Sequence, residues 1–314
     1  MHHDGAMKTL ALNGLDRVPN VVLGLMRIQH LDDDAVRTLL ATARDAGIDM
    51  VDHADIYGDE LHGCERRFAE AMALTPSQRE ELTIQTKCGI VKAGPYFDFS
   101  YEHIVSSVEG SLRALDTDYV DVLLLHRPDP LVEPDEVARA FDALESSGKV
   151  RAFGVSNHTP RQIDVLRRSV RQPIVANQLQ LSLAHAEIVA QGVASNMAGR
   201  AQSVTVDGGG VLDYCRANDI TVQAWSPFQS ATGVLLGSPD HPELNAAIDR
   251  LAARYDVPPI AVATAWITRH PANIQVVLGT TTPERVAGAA QGSELPLTRA
   301  EWYELFRAAG HLVP

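Results

Sequence analysis

The chain has 314 residues, 45% of them hydrophobic and 21% charged, an ordinary globular composition, long enough for one large α/β barrel or two mid-sized domains. Its formal net charge is −13 and no predicted element carries a basic cluster, which argues against nucleic acid as a partner because phosphate binding leans on grouped Lys and Arg. No apolar run is long enough to span a bilayer and no signal-peptide core is visible, while Cys64, Cys88 and Cys215 lack metal-type spacing and suit a reducing cytoplasm.

The first element is a predicted hairpin over residues 7–19. KTLALNGLDRVPN alternates apolar and polar residues around Asn13-Gly14. NVVLGL (20–25) is a short apolar strand. A helix follows over 32–47, with Val36, Leu39, Leu40 and Ala43 at helical spacing and Gly47 as its stop. IDMVDHA then precedes GCERRFAEAMAL, and LTIQTKCG (82–89) precedes SYEHIVSSVEGSLRAL. YVDVLLLH (119–126) leads to EPDEVARAFDALESSGK, and VRAFGVSN (150–157) to PRQIDVLRRS. IVANQLQL (174–181) and GVLDYCRANDI come next, then TVQAWSP (221–227), IAVATAWITRH, IQVVLGT (274–280) and PERVAGAA. About eight strand–helix units with near-continuous apolar strands imply a parallel sheet closed into a (β/α)₈ TIM barrel, with the hairpin plugging its N-terminal end. No G-x-G-x-x-G follows the first strand, which counts against a dinucleotide-binding open sheet.

The chain 1–314 thus reads as one domain. Two polar insertions, 185–210 and 227–245, follow strands and are expected over the C-terminal face, where function concentrates on this fold. The first contains Asn196 and Gly199 and ends in Gly208-Gly209-Gly210. His2 and His3 receive no metal role.

Four side chains converge on that face. Asp52 ends the second strand, Tyr57 lies just beyond it, Lys87 ends the third and His126 the fourth. Taken singly, each also fits a plain structural role: a turn former, a packed aromatic, an exposed strand-end lysine, a loop-capping histidine. Together they compose an acid catalyst. An adjacent ammonium is expected to lower the phenol below its unperturbed pKa of ~10. Asp52 would hold Lys87 charged, and His126 would direct a substrate oxygen. Such a group can protonate a carbonyl oxygen as a hydride reaches the carbon, an effect typically worth ~10²–10⁴ in rate.

DHADIYG, Lys87 and LLLHRPDP, taken with GVSN, NQLQLS, AWSP and GTTTPERV, resemble the aldo-keto reductase superfamily over most of the chain. DGGGVLDYCR, QAWSPF and LTRAEWYEL point to its bacterial oxidoreductase branch. The resemblance implies an extended NADP(H) across the barrel mouth, with Ser156, Asn157 and Gln178 on the nicotinamide carboxamide. It further implies Trp225 stacked on that ring, Ser226 near the pyrophosphate, and Gly279, Thr280, Thr281 and Arg285 at the adenosine phosphates. Gly279 stands where many members carry a lysine for the 2′-phosphate, so that contact falls to Arg285, and NADPH is expected over NADH. Gly288 and Ala289 replace polar residues that commonly touch adenine. Arg27 fits the pyrophosphate, a charged substrate group or plain solvent. The pocket wall is expected from Met26, Ile28, Tyr96, Phe97, Phe228 and the 185–210 loop, which favours hydrophobic or aromatic aldehydes and ketones as small-molecule substrates. Cys88 is expected to point into packing with no redox task.

Two other classes stand beside the reductase. A cofactor-binding regulatory or redox-sensing subunit would bind NADPH with little turnover. A metal-dependent barrel hydrolase needs more His and carboxylate ligands at strand ends than Asp52 and His126 supply.

Overall fold

A computed structural model describes residues 7–12, 14–194 and 210–313. His2, His3, Asn13 and the part of the first insertion holding Asn196, Gly199, Gly208 and Gly209 lie outside the described residues. Strands that are apolar on both faces cannot turn one face to water, so they close on themselves beneath a layer of helices. Eight parallel strands do so here, in chain order Val21–Gly24, Met50–Asp52, Thr83–Cys88, Val120–Leu125, Val150–Ser156, Ile174–Gln180, Thr221–Trp225 and Gln275–Leu278. Each pairs with its successor, and the eighth closes on the first through Val276 opposite Val21 and Leu278 opposite Leu23. We refer to them as barrel strands one to eight.

The alternation of side chains along each strand splits the core in two. Outward residues such as Val51, Ile84, Leu123 and Phe153 pack beneath the helices. Inward residues, among them Val22, Met50, Val122, Ala152 and Val175, join Leu10, Leu12 and Val18 in a separate inner core. Those last three belong to Thr9–Leu12 and Leu15–Pro19, an antiparallel pair that closes the N-terminal end. The hairpin therefore supplies the inner core's floor.

Local chemistry sets the helix starts. Asp32 accepts from the Ala35 backbone N–H at 2.8 Å ahead of Asp33–Asp45, and Thr159 and Gln162 form a capping box before Pro160–Leu166. The second insertion is shorter than its sequence suggests. It holds a small hairpin, Gln229–Ser230 with Gly233–Val234, and ends where Pro at the first helical position starts Pro242–Tyr255. A further hairpin, Ile90–Val91 with Tyr96–Phe97, rises beyond barrel strand three. No helix among the described residues is long and apolar enough to cross a membrane.

Candidate active site

Parallel strands in a barrel deliver all their C-terminal ends to one rim. Strand parity then decides which side chains enter. Asp52, Gln85 and Lys87 point inward; His53, Thr86 and Cys88, one step out of phase, pack outward against the helices.

Lys87 is fully buried. Its ammonium donates to Asp52 Oδ2 at 2.6 Å, to the His53 carbonyl at 2.8 Å and to the Tyr57 hydroxyl at 3.1 Å. Burial works against its charge, but Asp52 and Tyr57 outweigh it and hold the pKa above the ordinary lysine value. Tyr57 departs from the expectation of a lowered pKa. Burial pushes the phenol up and exceeds the downward pull of Lys87, so the group stays protonated through neutral pH. His126 stands edge-on to Tyr57, ring centroids 5.8 Å apart. Burial, then Lys87 and Arg127, hold its pKa well below the ordinary histidine value, so the ring is neutral.

Beneath these groups runs a feature the sequence reading missed. Gln85 Nε2 donates to Asp52 Oδ1 at 2.5 Å and to Gln223 Oε1 at 2.9 Å. Gln223 Nε2 returns a bond to Gln85 Oε1 at 3.0 Å and gives another to Gln275 Oε1 at 2.9 Å. Gln275 in turn donates to the Pro19 carbonyl at 2.7 Å. A ladder of glutamines thus joins Asp52 to the hairpin floor through the inside of the barrel. The available signal was a glutamine two residues before Lys87 in one strand and two before Trp225 in another, on the inward phase of otherwise apolar runs.

A cavity of about 670 Å³ opens above Asp52 and Tyr57. His126, Ser156, Asn157, Gln178, Trp225, Ser226, Gly279, Thr280, Thr281 and Arg285 all line it, as do Met26 and Phe228. Ile28, Tyr96 and Phe97 do not. Ile28 is wholly buried beneath the helices, and Tyr96, 53% exposed, stands with Phe97 on the small hairpin outside the cavity wall. The reason is local: the turn after barrel strand one carries Met26 to the cavity wall and Ile28 under the helices, and the two-residue strands lift the aromatics away. Ile56, Ile90 and Arg127, which sequence reasoning did not select, stand in the wall instead.

The residues present fit an extended nicotinamide dinucleotide. Ser156 Oγ donates to the Gln178 carbonyl and accepts from Asn157 Nδ2. Asn157 Oδ1 accepts from Trp225 Nε1 at 3.0 Å, fixing the indole, and keeps a second lone pair. Gln178 spends its Nε2 on Asp52 and Gln223, so its Oε1 makes no hydrogen bond among the described residues. Asn157 and Ser226 both adopt left-handed backbone, uncommon for residues with a Cβ, at the cavity edge. At the far end Thr280, Thr281 and Thr282 lead into Pro283–Ala290, with Arg285 in its first turn. Arg27 reaches the same end, its Nη1 donating to the Gly279 carbonyl at 2.6 Å. Among the described residues, no group of three or more His, Cys, Asp or Glu is placed to hold a metal ion.

The profile of the Aldo/keto reductase family matches residues 20–308. The chain is 35% identical over 306 residues to a Bacillus subtilis protein named uncharacterized oxidoreductase YcsN, covering 94% of this chain and 95% of that one. It is 34% identical over 314 residues to a 6-dehydroglucose reductase of Agrobacterium fabrum, covering 96% and 98%. Among solved structures, a Bombyx mori aldo-keto reductase in complex with NADP shares the fold at TM-score 0.73 and 23% identity, over 98% of this chain and 95% of that one.

Proposed function

The chain belongs to the aldo/keto reductase family and is an oxidoreductase, and we propose that it reduces aldehydes and ketones to alcohols, reversibly, with NADPH as reductant and Tyr57 as proton donor. The observation that carries this reading is the buried Lys87 ammonium, bonded to Asp52 on one side and to the Tyr57 hydroxyl on the other.

The Ser156 hydroxyl, the Asn157 and Gln178 amides and the Trp225 indole would hold the nicotinamide, which would supply a hydride to the substrate carbon. The protein's part is position and proton. Tyr57 donates its hydroxyl proton to the carbonyl oxygen, leaving a phenolate that the Lys87 ammonium stabilises. Asp52 keeps that ammonium charged in a site where burial alone would remove its proton. His126, being neutral, still carries one N–H with which to orient the carbonyl oxygen. Because the folded phenol sits above its ordinary pKa, reduction is expected to hold through neutral pH and fall in strong alkali. Alcohol oxidation, which needs the phenolate, should rise over the same range. Arg285 and the threonines before it are the residues we assign to the adenosine phosphates. The names of the relatives add an oxidised glucose to a substrate panel otherwise drawn from aromatic aldehydes. We place the protein in the cytoplasm, in keeping with three cysteines that are all buried and unpaired.

Loss of NADPH absorbance with 4-nitrobenzaldehyde, beside NADH and a Tyr57→Phe variant, tests the reading. Tyr57→Phe should lower kcat by ~10²–10⁴ while NADPH still binds. NADPH binding without turnover on any carbonyl in the intact protein would favour the sensing subunit instead.

A further inference from the structure

The cavity is more cationic than the chain around it. In a protein of net charge −13, the described residues of its lining include three arginines, Arg27, Arg127 and Arg285, and one carboxylate, Asp52, already paired with Lys87. Two of the three lie together. Arg27 is bonded to the carbonyl of Gly279 and Arg285 follows a few residues later, so both stand where barrel strand eight ends. Arg127 follows barrel strand four, which is four places from strand eight in the closed ring of eight and therefore across the mouth from it. Arg127 is also the next residue after His126, and it depresses the charged form of that ring.

Among the described residues Arg127 makes no hydrogen bond and no ion pair. Its recorded contact is with the Trp225 ring, 5.7 Å from guanidinium to centroid. An arginine half-buried in a cavity wall without an anion is a cation awaiting one. A dinucleotide's phosphates would be met at the Arg27 and Arg285 end, which leaves Arg127 on the side of His126 and Tyr57. We infer that Arg127 recognises an anionic group on the substrate itself, and that the preferred substrates are carbonyl compounds carrying a carboxylate. The choice of a monoanion follows from the charge count, since one guanidinium balances one negative charge and its planar fork matches a carboxylate in two parallel bonds. This inference rests on the reductase reading above and adds an anionic group to the expectation of hydrophobic or aromatic carbonyl substrates. Ile28, Tyr96 and Phe97 are absent from the wall, but Ile56 and Ile90 join Met26 and Phe228 there and keep an apolar side to the pocket.

A matched pair separates charge from shape: 4-formylbenzoate and its methyl ester, assayed with NADPH in the intact enzyme, in Arg127→Met and in Arg127→Lys. The intact enzyme should favour the acid in kcat/KM. Arg127→Met should cut the acid-to-ester ratio by about 10- to 100-fold, mostly through KM, the range of a charge-assisted paired contact. Arg127→Lys should recover part of it. In parallel, 4-formylbenzoate is titrated into the enzyme–NADP⁺ complex and followed by Trp fluorescence, a readout that needs no turnover. NADPH affinity, measured the same way, should move less than twofold, on the order of an uninvolved residue. Equal use of acid and ester by the intact enzyme would overturn the inference, as would an unchanged ratio in Arg127→Met. Weakened NADPH binding in that variant would also overturn it, assigning Arg127 to the cofactor. Absent turnover of both aldehydes with tight, Arg127-dependent binding of the acid would instead overturn the reductase reading and leave the anion site standing.

Discussion

Barrel strand three and the end of barrel strand two, with His53 just beyond it, carry buried polar side chains on both faces, and the two faces handle charge differently. On the inner face Lys87 keeps its charge, and both Asp52 carboxylate oxygens are bonded: one by Lys87, the other by Gln85 and Gln178. On the outer face, one residue out of phase, the pairing is partial. Glu65 is wholly buried and accepts from the Thr86 hydroxyl at 2.6 Å, with its other oxygen 2.5 Å from His62 Nδ1. His53 beside it has neither ring nitrogen partnered among the described residues, and packs edge-on to Phe68 instead. Burial pushes its pKa down to about 4, and burial followed by Glu65 pushes Asp55 up to about 7. The inner face supplies donors, so charge survives there and can act on a phenol. The outer face leaves both His53 ring nitrogens and Asp55 Oδ1 without partners among the described residues, and both groups answer by giving up charge.

The largest expected effect comes from breaking the inner pair. Lys87→Met leaves Asp52 as a buried carboxylate without its cation, a loss of ~3–5 kcal/mol in unfolding free energy by analogy with other broken buried pairs. Activity should vanish with it. Denaturant unfolding checks the first part. A loss below about 1 kcal/mol would mean that the glutamines alone suffice for Asp52.

Gln85→Leu is the gentler form of the same test. It removes one of the two donors on Asp52 Oδ1 and strips Gln223 of its reciprocal bonds. A stability loss of about 1–3 kcal/mol is expected, with kcat lowered more than the NADPH dissociation constant is raised. Unchanged kcat would make the glutamine ladder a matter of packing alone.

Acid probes the outer face. His53 folds neutral with a pKa near 4 against an ordinary 6.5, a depressed cation whose contribution is present above pH 6.5 and is lost as pH falls toward 4. His158, held near 4 by burial, adds to the slope. Asp55, raised to about 7, slopes the other way, its neutral form favouring the fold as pH drops. Replacing His53 with Leu should flatten the stability curve between pH 6.5 and 4 by about 1.4 kcal/mol per pH unit. Unfolding at three pH values decides it: an unaltered slope would mean His53 is protonated in the folded state.

Much of this was legible in the chain. Eight apolar strands between amphipathic helices announced the barrel, because strands buried on both faces read the same in sequence as in space. Asp52, Lys87 and His126 could be placed at one rim because each ends a strand, and in a parallel barrel strand ends share a rim whatever the side-chain packing. Harder cases needed depth. Nothing in GLMRIQ tells that Met26 faces the cavity while Ile28 faces the helices, since that depends on how the turn leaves the strand. Nor could spacing put Tyr96 and Phe97 on a raised hairpin.

The sequence alone determined the periodicities, hence the architecture and the identity of the groups delivered to its mouth. Only the tertiary structure decided their ionisation and their neighbours. The sign of the Tyr57 shift is a contest between burial and one ammonium at 3.1 Å. The glutamine ladder joins residues up to 256 positions apart, and the place of Arg127 opposite Arg285 follows from ring closure. Backbone pattern is local and additive along a chain. Desolvation and hydrogen-bond partnership depend on what else arrives at the same point in space.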